Sequence, residues 1–353
     1  MTLPMTIPEP PPATLRLKID REALAANWRA LDRLSGAAAA GAAVKADAYG
    51  LGVASVVPTL LDAGTRQFFV AHWSEVAPVL AAGATPDQIA VLHGVNTPAD
   101  AAFAVATGVR PVINSLRQAA LWREAGGGLC HLMIDTGMNR LGLPPSDVGD
   151  PAIGALDIDI VLSHLASAED DTDQSARQLA LFETARTGVK APRTSLANSA
   201  GIALGSAYHF DVTRPGLALY GGVPCAALAG DLAQVVFPQA MVMQVRSVPT
   251  GGLVGYNATF RAPHPMRTAT LSLGYADGIL RCWGEGGALL HEGRVLKIIG
   301  RVSMDMIVVD CTDAPDLAQG DFCDLPYSLV TAAETTGLSQ YELLTLLGDR
   351  FAR

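Results

Sequence analysis

Lys45 stands in AAVKADAYG, residues 42 to 50, as the single cation in a run of alanine, valine and glycine, with Tyr49 four residues on. Lys18, Lys45, Lys190 and Lys297 are the only lysines of the chain, and arginine carries almost all of its positive charge. Most lysines are solvated, and this one would then be an ordinary loop residue. The alternative is a buried amine whose pKa has fallen far enough for it to attack a carbonyl and form a Schiff base. Small neighbours, Ala46, Ala48 and Gly50, suit a tight site better than a solvated loop, but Lys45 alone does not decide between the two. Two other stretches have phosphate-binding chemistry. In DVTRPGLALYGG, residues 211 to 222, Pro215 and Gly216 precede a helical turn whose backbone N–H groups would be free to face an anion. In ANSAG, residues 197 to 201, Asn198 and the hydroxyl of Ser199 stand at another helix start. Ordinary turn and capping chemistry would account for either stretch taken singly.

Such residues need elements to hold them. Short apolar runs alternate with alanine-rich helical segments from about residue 40 to residue 222, which is a βα rhythm. The expected strands are GAAVK (41 to 45), QFFVAH (67 to 72), IAVLHG (89 to 94), RPVIN (110 to 114), CHLMID (130 to 135), IDIVLSH (158 to 164), RTSLAN (193 to 198) and FDVTR (210 to 214). Helices are expected at IDREALAANWRALDRLSG, capped by Asp20 and stopped at Gly36, and at SEVAPVLAAG, TPADAAFAVATG, SLRQAALWREAG and DQSARQLALFETARTG. Buried parallel strands read as continuous apolar runs, and eight of them favour a (β/α)8 TIM-type barrel over a doubly wound sheet. Chemistry in that fold sits at the C-terminal ends of the strands, where this chain has Lys45, His72, His93, Asn114, Asp135, His164, Asn198 and Arg214. From about residue 234 the pattern turns to glycine-punctuated β segments, with no long helix before SQYELLTLLGDR. The expected organisation is therefore a barrel over 14–233 and a mostly β domain over 234–353. A proline-rich, extended arm over 1–13 would join the C-terminal β domain.

Composition narrows the function class. The chain of 353 residues is 50% hydrophobic and 17% charged, enough for large cores, and its net charge of -9 offers no basic field for nucleic acid or anionic lipid. Five scattered cysteines suggest neither a disulfide framework nor a metal cage. No apolar run reaches membrane-spanning length. The expectation is a cytoplasmic enzyme with no metal, no nucleic-acid partner and no membrane contact.

VKADAYG, DTGMNRLG, SHLASAED, ANSAG, TRPGLALYGG, VGYNATF, LSLGYADG and GRVSMDM follow one another in an order that resembles the motif series of the alanine racemases, fold-type III pyridoxal 5'-phosphate enzymes. The likeness runs from about residue 15 to the C-terminus. It implies a barrel plus C-terminal β domain, and a head-to-tail homodimer whose sites combine both chains. By position it makes Lys45 the cofactor lysine and one catalytic base, and Tyr275, from the second subunit, the opposite base. Tyr49, Ser199, Gly216, Leu217 and Tyr341 would bind the phosphate, Asn198 would contribute to the cofactor site, and Arg214, backed by His164, would meet the pyridine nitrogen. Arg140, Met304 and Asp305 would shape the substrate carboxylate end. Outside that resemblance Tyr275 reads as a packed tyrosine, His164 as a satisfied core histidine and Arg140 as a bridge between loops.

The residue types fit the implied reaction. Racemisation removes a proton from one face of a carbon and returns one to the other, so it wants two bases on opposite sides. Lysine and tyrosine both titrate near pH ~10, and burial or a neighbouring cation must bring their basic forms within reach. One departure stands out: many family members have a carbamylated lysine seven residues before the matching arginine, and this chain has Met133 there. Something else, a chloride, an amide or a carboxylate, would have to balance Arg140. The expected activity is interconversion of L- and D-alanine, for peptidoglycan synthesis or alanine catabolism. The rivals are a serine or broad-specificity racemase, a non-catalytic pyridoxal phosphate-binding barrel, and a decarboxylase of the same fold type. The β domain with GYADG speaks against the non-catalytic barrel, and no cysteine-containing C-terminal motif supports the decarboxylase.

Overall fold

The computed structural model describes residues 11–170 and 173–353. Of the arm expected over 1–13, only Pro11, Pro12 and Ala13 fall within the described residues. The chain divides into two compact units, residues 20–235 and the segment Val236–Arg353 with the N-terminal residues through Ile19.

Residues 20–235 form a (β/α)8 barrel. Seven parallel strands run in sequence order from Ala42–Ala43 through Phe68–Val70, Ile89–Val91, Arg110–Ile113, Cys130–Met133 and Ile158–Leu162 to Arg193–Ser195. The eighth, Val212–Thr213, closes the ring. On one side the amides of Asp211 and Arg214 donate to the carbonyls of Thr194 and Ala197, and on the other Gly41 and Ala43 donate to Thr213 and Pro215. Gly41 permits this closure, since a Cβ there would lie 2.9 Å from the Gln67 carbonyl and from the Phe69 ring. Inward-pointing Phe69, Ala90, Val112, Met133, Ile160, Leu162 and Val212 fill the ring, so it is a packed core and no pore. A second apolar layer, including Trp122, Leu132, Val161 and Phe182, lies between strands and helices.

Local rules explain most of the helices. Asp20 caps Arg21–Leu34 by accepting from the Ala23 amide at 2.9 Å, and Gly36 follows with φ 68°. Thr97 and Ser115 cap Pro98–Thr107 and Leu116–Glu124 in the same way. Two features depart from expectation. A helix at Val53–Ala63, with Pro58 inside it and no side-chain cap, was not foreseen. Between the fifth and sixth strands only a 3-10 turn, Pro145–Asp147, and the four-residue helix Pro151–Gly154 stand where a full helix would ordinarily cover the barrel.

The other unit is a closed antiparallel sheet. Its order is Leu15–Ile19, Val236–Val248, Met266–Leu271, Ile307–Asp310, Arg294–Ile299, Ala288–His291 and Phe322–Asp324, and the last strand pairs back onto Val236–Val248. The 13-residue strand Val236–Val248 reaches several partners because a register shift between Val242 and Gln244 bends it. Leu15–Ile19 pairs with Val236–Ala240 and therefore belongs with this unit, although the sequence pattern put it at the head of the barrel. Two C-terminal helices, Leu329–Thr336 and Gln340–Thr345, pack on one another; the first was not foreseen.

Candidate active site

The first barrel strand ends in a turn of unusual backbone. Lys45 is followed by Ala46, Asp47, Ala48 and Tyr49, with φ of 53°, 51°, 55° and 57°, so four residues with a Cβ lie in succession in the left-handed region. Each such residue costs roughly 1–2 kcal/mol, and the run roughly 4–8 kcal/mol, which the surroundings must offset. The amides of Ala48, Gly50 and Gly52 donate to the carbonyls of Val44, Ala46 and Asp47, and the Asp47 carboxylate accepts from the Val53 amide at 2.8 Å. A carboxylate from the second strand's loop, Glu75, accepts from the Ala46 amide at 2.5 Å. Lys45 is half-buried. Burial first, then the Arg140 guanidinium, pull its amine below the usual lysine range, and Glu75 opposes them.

Arg214, at the end of the eighth strand, is wholly enclosed. Its guanidinium donates to the Ser195 hydroxyl and the Ser163 carbonyl, both at 2.5 Å, and lies 3.4 Å from Nδ1 of His164. Burial lowers its pKa to about 10, so it stays cationic at neutral pH. Guanidinium has no acceptor, so the His164 Nδ1 must accept and the ring proton sits on Nε2. Burial and the Arg214 charge push the His164 pKa down to about 3 and keep the ring neutral. Gln178 supports this corner by donating to the His164 carbonyl at 2.9 Å and accepting from the Ala166 amide at 2.8 Å.

Next to Arg214 the chain forms a cradle. Ser199 Oγ accepts from the amides of Gly216 and Ala218 at 2.9 and 3.2 Å, and Asn198 caps the short helix Ser199–Ala203 by accepting from the Gly201 amide at 2.9 Å. A Cβ on Gly216 would come within 2.3 Å of the Tyr49 hydroxyl, so glycine is what lets the phenol lie against this backbone. The Tyr49 ring lies 4.9 Å from that of Tyr220 and tilted 33° to it, the Tyr220 hydroxyl donates to the Ala43 carbonyl, and burial raises the Tyr49 pKa to about 12, so its phenol stays protonated. Leu217 is buried at the start of the following 3-10 turn, Leu217–Tyr220.

Arg140 is exposed on the loop after the fifth strand, and it makes no ion pair among the described residues. Asp135 shapes that loop by accepting from the amides of Gly137, Met138, Asn139 and Arg140. Met133 is buried among the apolar residues inside the barrel.

Tyr275, Met304, Asp305 and Tyr341 belong to the β unit. The Tyr275 and Ala276 amides donate to the carbonyls of Ser303 and Met304, which ties GYADG to the SMDM loop. Asp277, 1% exposed, accepts from the Gly274 amide at 2.8 Å and from Arg350 Nε at 2.7 Å, while Arg350 Nη1 bonds Asp305 at 2.7 Å. The Tyr275 ring is half-buried, with the Arg281 guanidinium 5.7 Å from its centroid. Tyr341 lies part-exposed on Gln340–Thr345, and the segment following that helix packs on the Tyr275 turn, where a Cβ on Gly278 would strike the Leu346 carbonyl at 2.3 Å. Glu75, Ser163, Ser195, Gln178, Asp277 and Arg350 were not singled out from sequence. Only Asp277 had a visible signal, its three-residue spacing from a turn glycine.

Residues 19–224 match the alanine racemase N-terminal domain family, and residues 235–353 match the alanine racemase C-terminal domain family. The chain belongs to the alanine racemase family. Alanine racemase from Methylobacterium nodulans is 42% identical over 353 residues, covering 96% of this chain and 95% of that one. A catabolic alanine racemase from Agrobacterium fabrum is 41% identical over 357 residues, covering 97% and 92%. Among solved structures, alanine racemase from Bartonella henselae, described with covalently bound pyridoxal phosphate, superposes with a TM-score of 0.89 at 36% identity, covering 97% of this chain and 99% of that one. The family resemblance read from eight ordered motifs is thus borne out, as is the barrel with its β domain. No helix among the described residues is long and apolar enough to cross a membrane.

Proposed function

We propose that this chain interconverts L- and D-alanine by a two-base reaction, with pyridoxal 5'-phosphate held on Lys45. The observation that carries the reading is the grouping at the barrel mouth. A lysine amine with a lowered pKa shares that end with a buried cation, Arg214, and with the Ser199, Gly216 and Tyr49 cradle. That set fits the cofactor. Hydroxyls and the close backbone approach at Gly216 suit its phosphate, Arg214 suits a ring nitrogen that accepts a hydrogen bond, and Lys45 suits its aldehyde. Bound there, the cofactor supplies an electron-withdrawing ring that stabilises charge left at the substrate Cα.

The protein's own groups move the proton. Lys45 Nζ takes it from, or returns it to, one face of Cα, and the phenol of Tyr275, contributed by a second copy of the chain, serves the other face. Arg214 has no proton to yield to a ring nitrogen, which limits the charge the ring accepts and favours rapid return of the proton to Cα. Asn198 orients Ser199 through the helix cap, and Leu217 and Tyr341 complete the phosphate end. Arg140, Met304 and Asp305 border the substrate carboxylate. With Met133 in place of a carbamylated lysine, the counter-charge for Arg140 comes from elsewhere, the substrate carboxylate included.

The test is to incubate purified protein and pyridoxal phosphate with L-alanine, L-serine and a larger L-amino acid, and to follow D-enantiomers by chiral chromatography. D-Alanine as the main product is expected. Equal or faster turnover of serine would convert the reading to a broader racemase, and absence of every D-product would end it.

A further inference from the structure

We propose that Glu75 is the positioning residue for Lys45, a single carboxylate that locks the left-handed turn behind the lysine to the second barrel strand. This rests on the reading of Lys45 given above. Glu75 ends the 3-10 turn Trp73–Glu75, itself pinned where the Trp73 indole donates to the Gly94 carbonyl at 2.8 Å. One carboxylate oxygen accepts from the Ala46 amide at 2.5 Å, and the other accepts from the amides of Ala71 and His72 at 2.6 and 2.9 Å. The first partner is the residue directly after Lys45, and the other two leave the end of the neighbouring strand Phe68–Val70. Residues 45 to 48 make no other hydrogen bond to a neighbouring strand or its loop among the described residues. Every other hydrogen bond they make lies within the local segment through Val53, so Glu75 ties the residues directly behind the lysine to the neighbouring strand, while Tyr49 at the far end of the turn packs on Tyr220.

The chemistry of the side chain is specific. Both oxygens receive N–H groups, so the group must be acceptor-only at each end, which a carboxylate is and an amide is not. Glutamine would have to turn its NH2 toward either the Ala46 amide or the Ala71 and His72 amides, setting donor against donor. Glu75 also supplies negative charge beside a lysine that otherwise faces Arg140, His93 and His164, with Arg214 behind that histidine. Its removal should move the lysine's titration further toward acid.

The experiment uses the full-length protein stripped of cofactor. Pyridoxal phosphate is added across a pH series, the product is trapped with borohydride, and incorporation at Lys45 is read by peptide mass spectrometry alongside thermal melting. Failure of the wild-type protein to take the label at Lys45 would bring down the functional reading, whatever Glu75 does. With wild-type labelling in hand, Glu75→Gln is expected to slow it on the order of tenfold, as a small misplacement of a reacting group does. Its pH profile should shift to the acid side, which a loss of stability alone would not produce, and the amide left facing an NH2 group should lower the melting point modestly. Glu75→Asp keeps the charge but loses reach, so it should show a smaller loss and an almost unshifted profile. Wild-type labelling rate and profile in Glu75→Gln would overturn the proposal, as would a loss matched by lowered melting with the profile unmoved. Should Glu75→Gln fail to fold, Glu75→Asp decides: slower labelling at unchanged melting supports the assignment, and any other result rejects it.

Discussion

The turn that carries Lys45 passes through four left-handed residues with side chains and is fastened by a carboxylate from the next strand's loop. The turn that carries Tyr275 places its positive φ on Gly278 and is fastened by its own Asp277, three residues from the Gly274 amide that it accepts. The first geometry is expensive for alanine and tyrosine backbones and persists only because distant groups fix it. The second is an unstrained local motif, and its longer-range support comes from Arg350, which joins Asp277 to Asp305. Strain is thus concentrated at the proposed cofactor lysine. The proposed phenol base rests on a loop that another chain segment braces by charge.

The largest effects should come from removing each reacting group in turn. Lys45→Ala should reduce D-alanine formation to that of a blank and eliminate covalent pyridoxal phosphate, as read by mass spectrometry after borohydride. Tyr275→Phe should keep the label in full and lower turnover by roughly 10²–10⁴-fold, the usual contribution of a positioned general base. Label retained in the lysine variant, or lost in the phenylalanine variant, would mean that the two turns do not divide the work in this way.

A middle-sized effect should come from the brace of the Tyr275 turn. Arg350→Gln leaves the buried Asp277 carboxylate with the Gly274 amide as its remaining partner, at a cost of about 1–3 kcal/mol. Turnover should fall on the order of tenfold while Lys45 labelling is unaffected. Thermal melting and kcat for alanine check the first two points. An effect on labelling equal to that on turnover would show that the brace does not act on the Tyr275 side alone.

The two turns also differ in how readable they were. Gly274, Asp277 and Gly278 are residue types that announce a turn, and the eight strand ends were visible because buried parallel strands leave continuous apolar runs. Ala46 and Ala48 are good helix formers, and nothing in their type signals left-handed backbone. Glu75 was missed because its partners are three backbone amides, which carry no sequence signature. The helix Val53–Ala63 was obscured by Pro58 and by its lack of a side-chain cap. Leu15–Ile19 has the alternation of a strand, but which sheet it joins depends on pairing with residues more than two hundred positions away.

The smallest expected effect lies at the opposite end of the barrel, and it asks how much of the unit's pH sensitivity belongs to the Lys45 end. His131 is fully buried on the fifth strand, neither ring nitrogen has a hydrogen-bond partner among the described residues, and Asp159 lies 3.9 Å away, already engaged by Arg110 and Arg193. Burial pushes its pKa down to about 3 from 6.5, the same direction and size as at His164. Between those values the unfolded chain binds protons that the folded one does not, so stability is full above about 6.5 and falls as the pH drops toward 3. Each histidine contributes a slope of up to about 1.4 kcal/mol per pH unit within that window. Replacing His131 with leucine orphans no partner and leaves Asp159 with both arginines. Urea unfolding of His131→Leu should therefore match or exceed wild-type stability at neutral pH, with the acid slope reduced by about one proton. The slope that remains would report on His164 beside Arg214 together with His93 and the carboxylates Asp159, Asp316 and Glu342, whose pKa values are lowered as well, whereas an unreduced slope would show that His131 is not held neutral in the folded barrel.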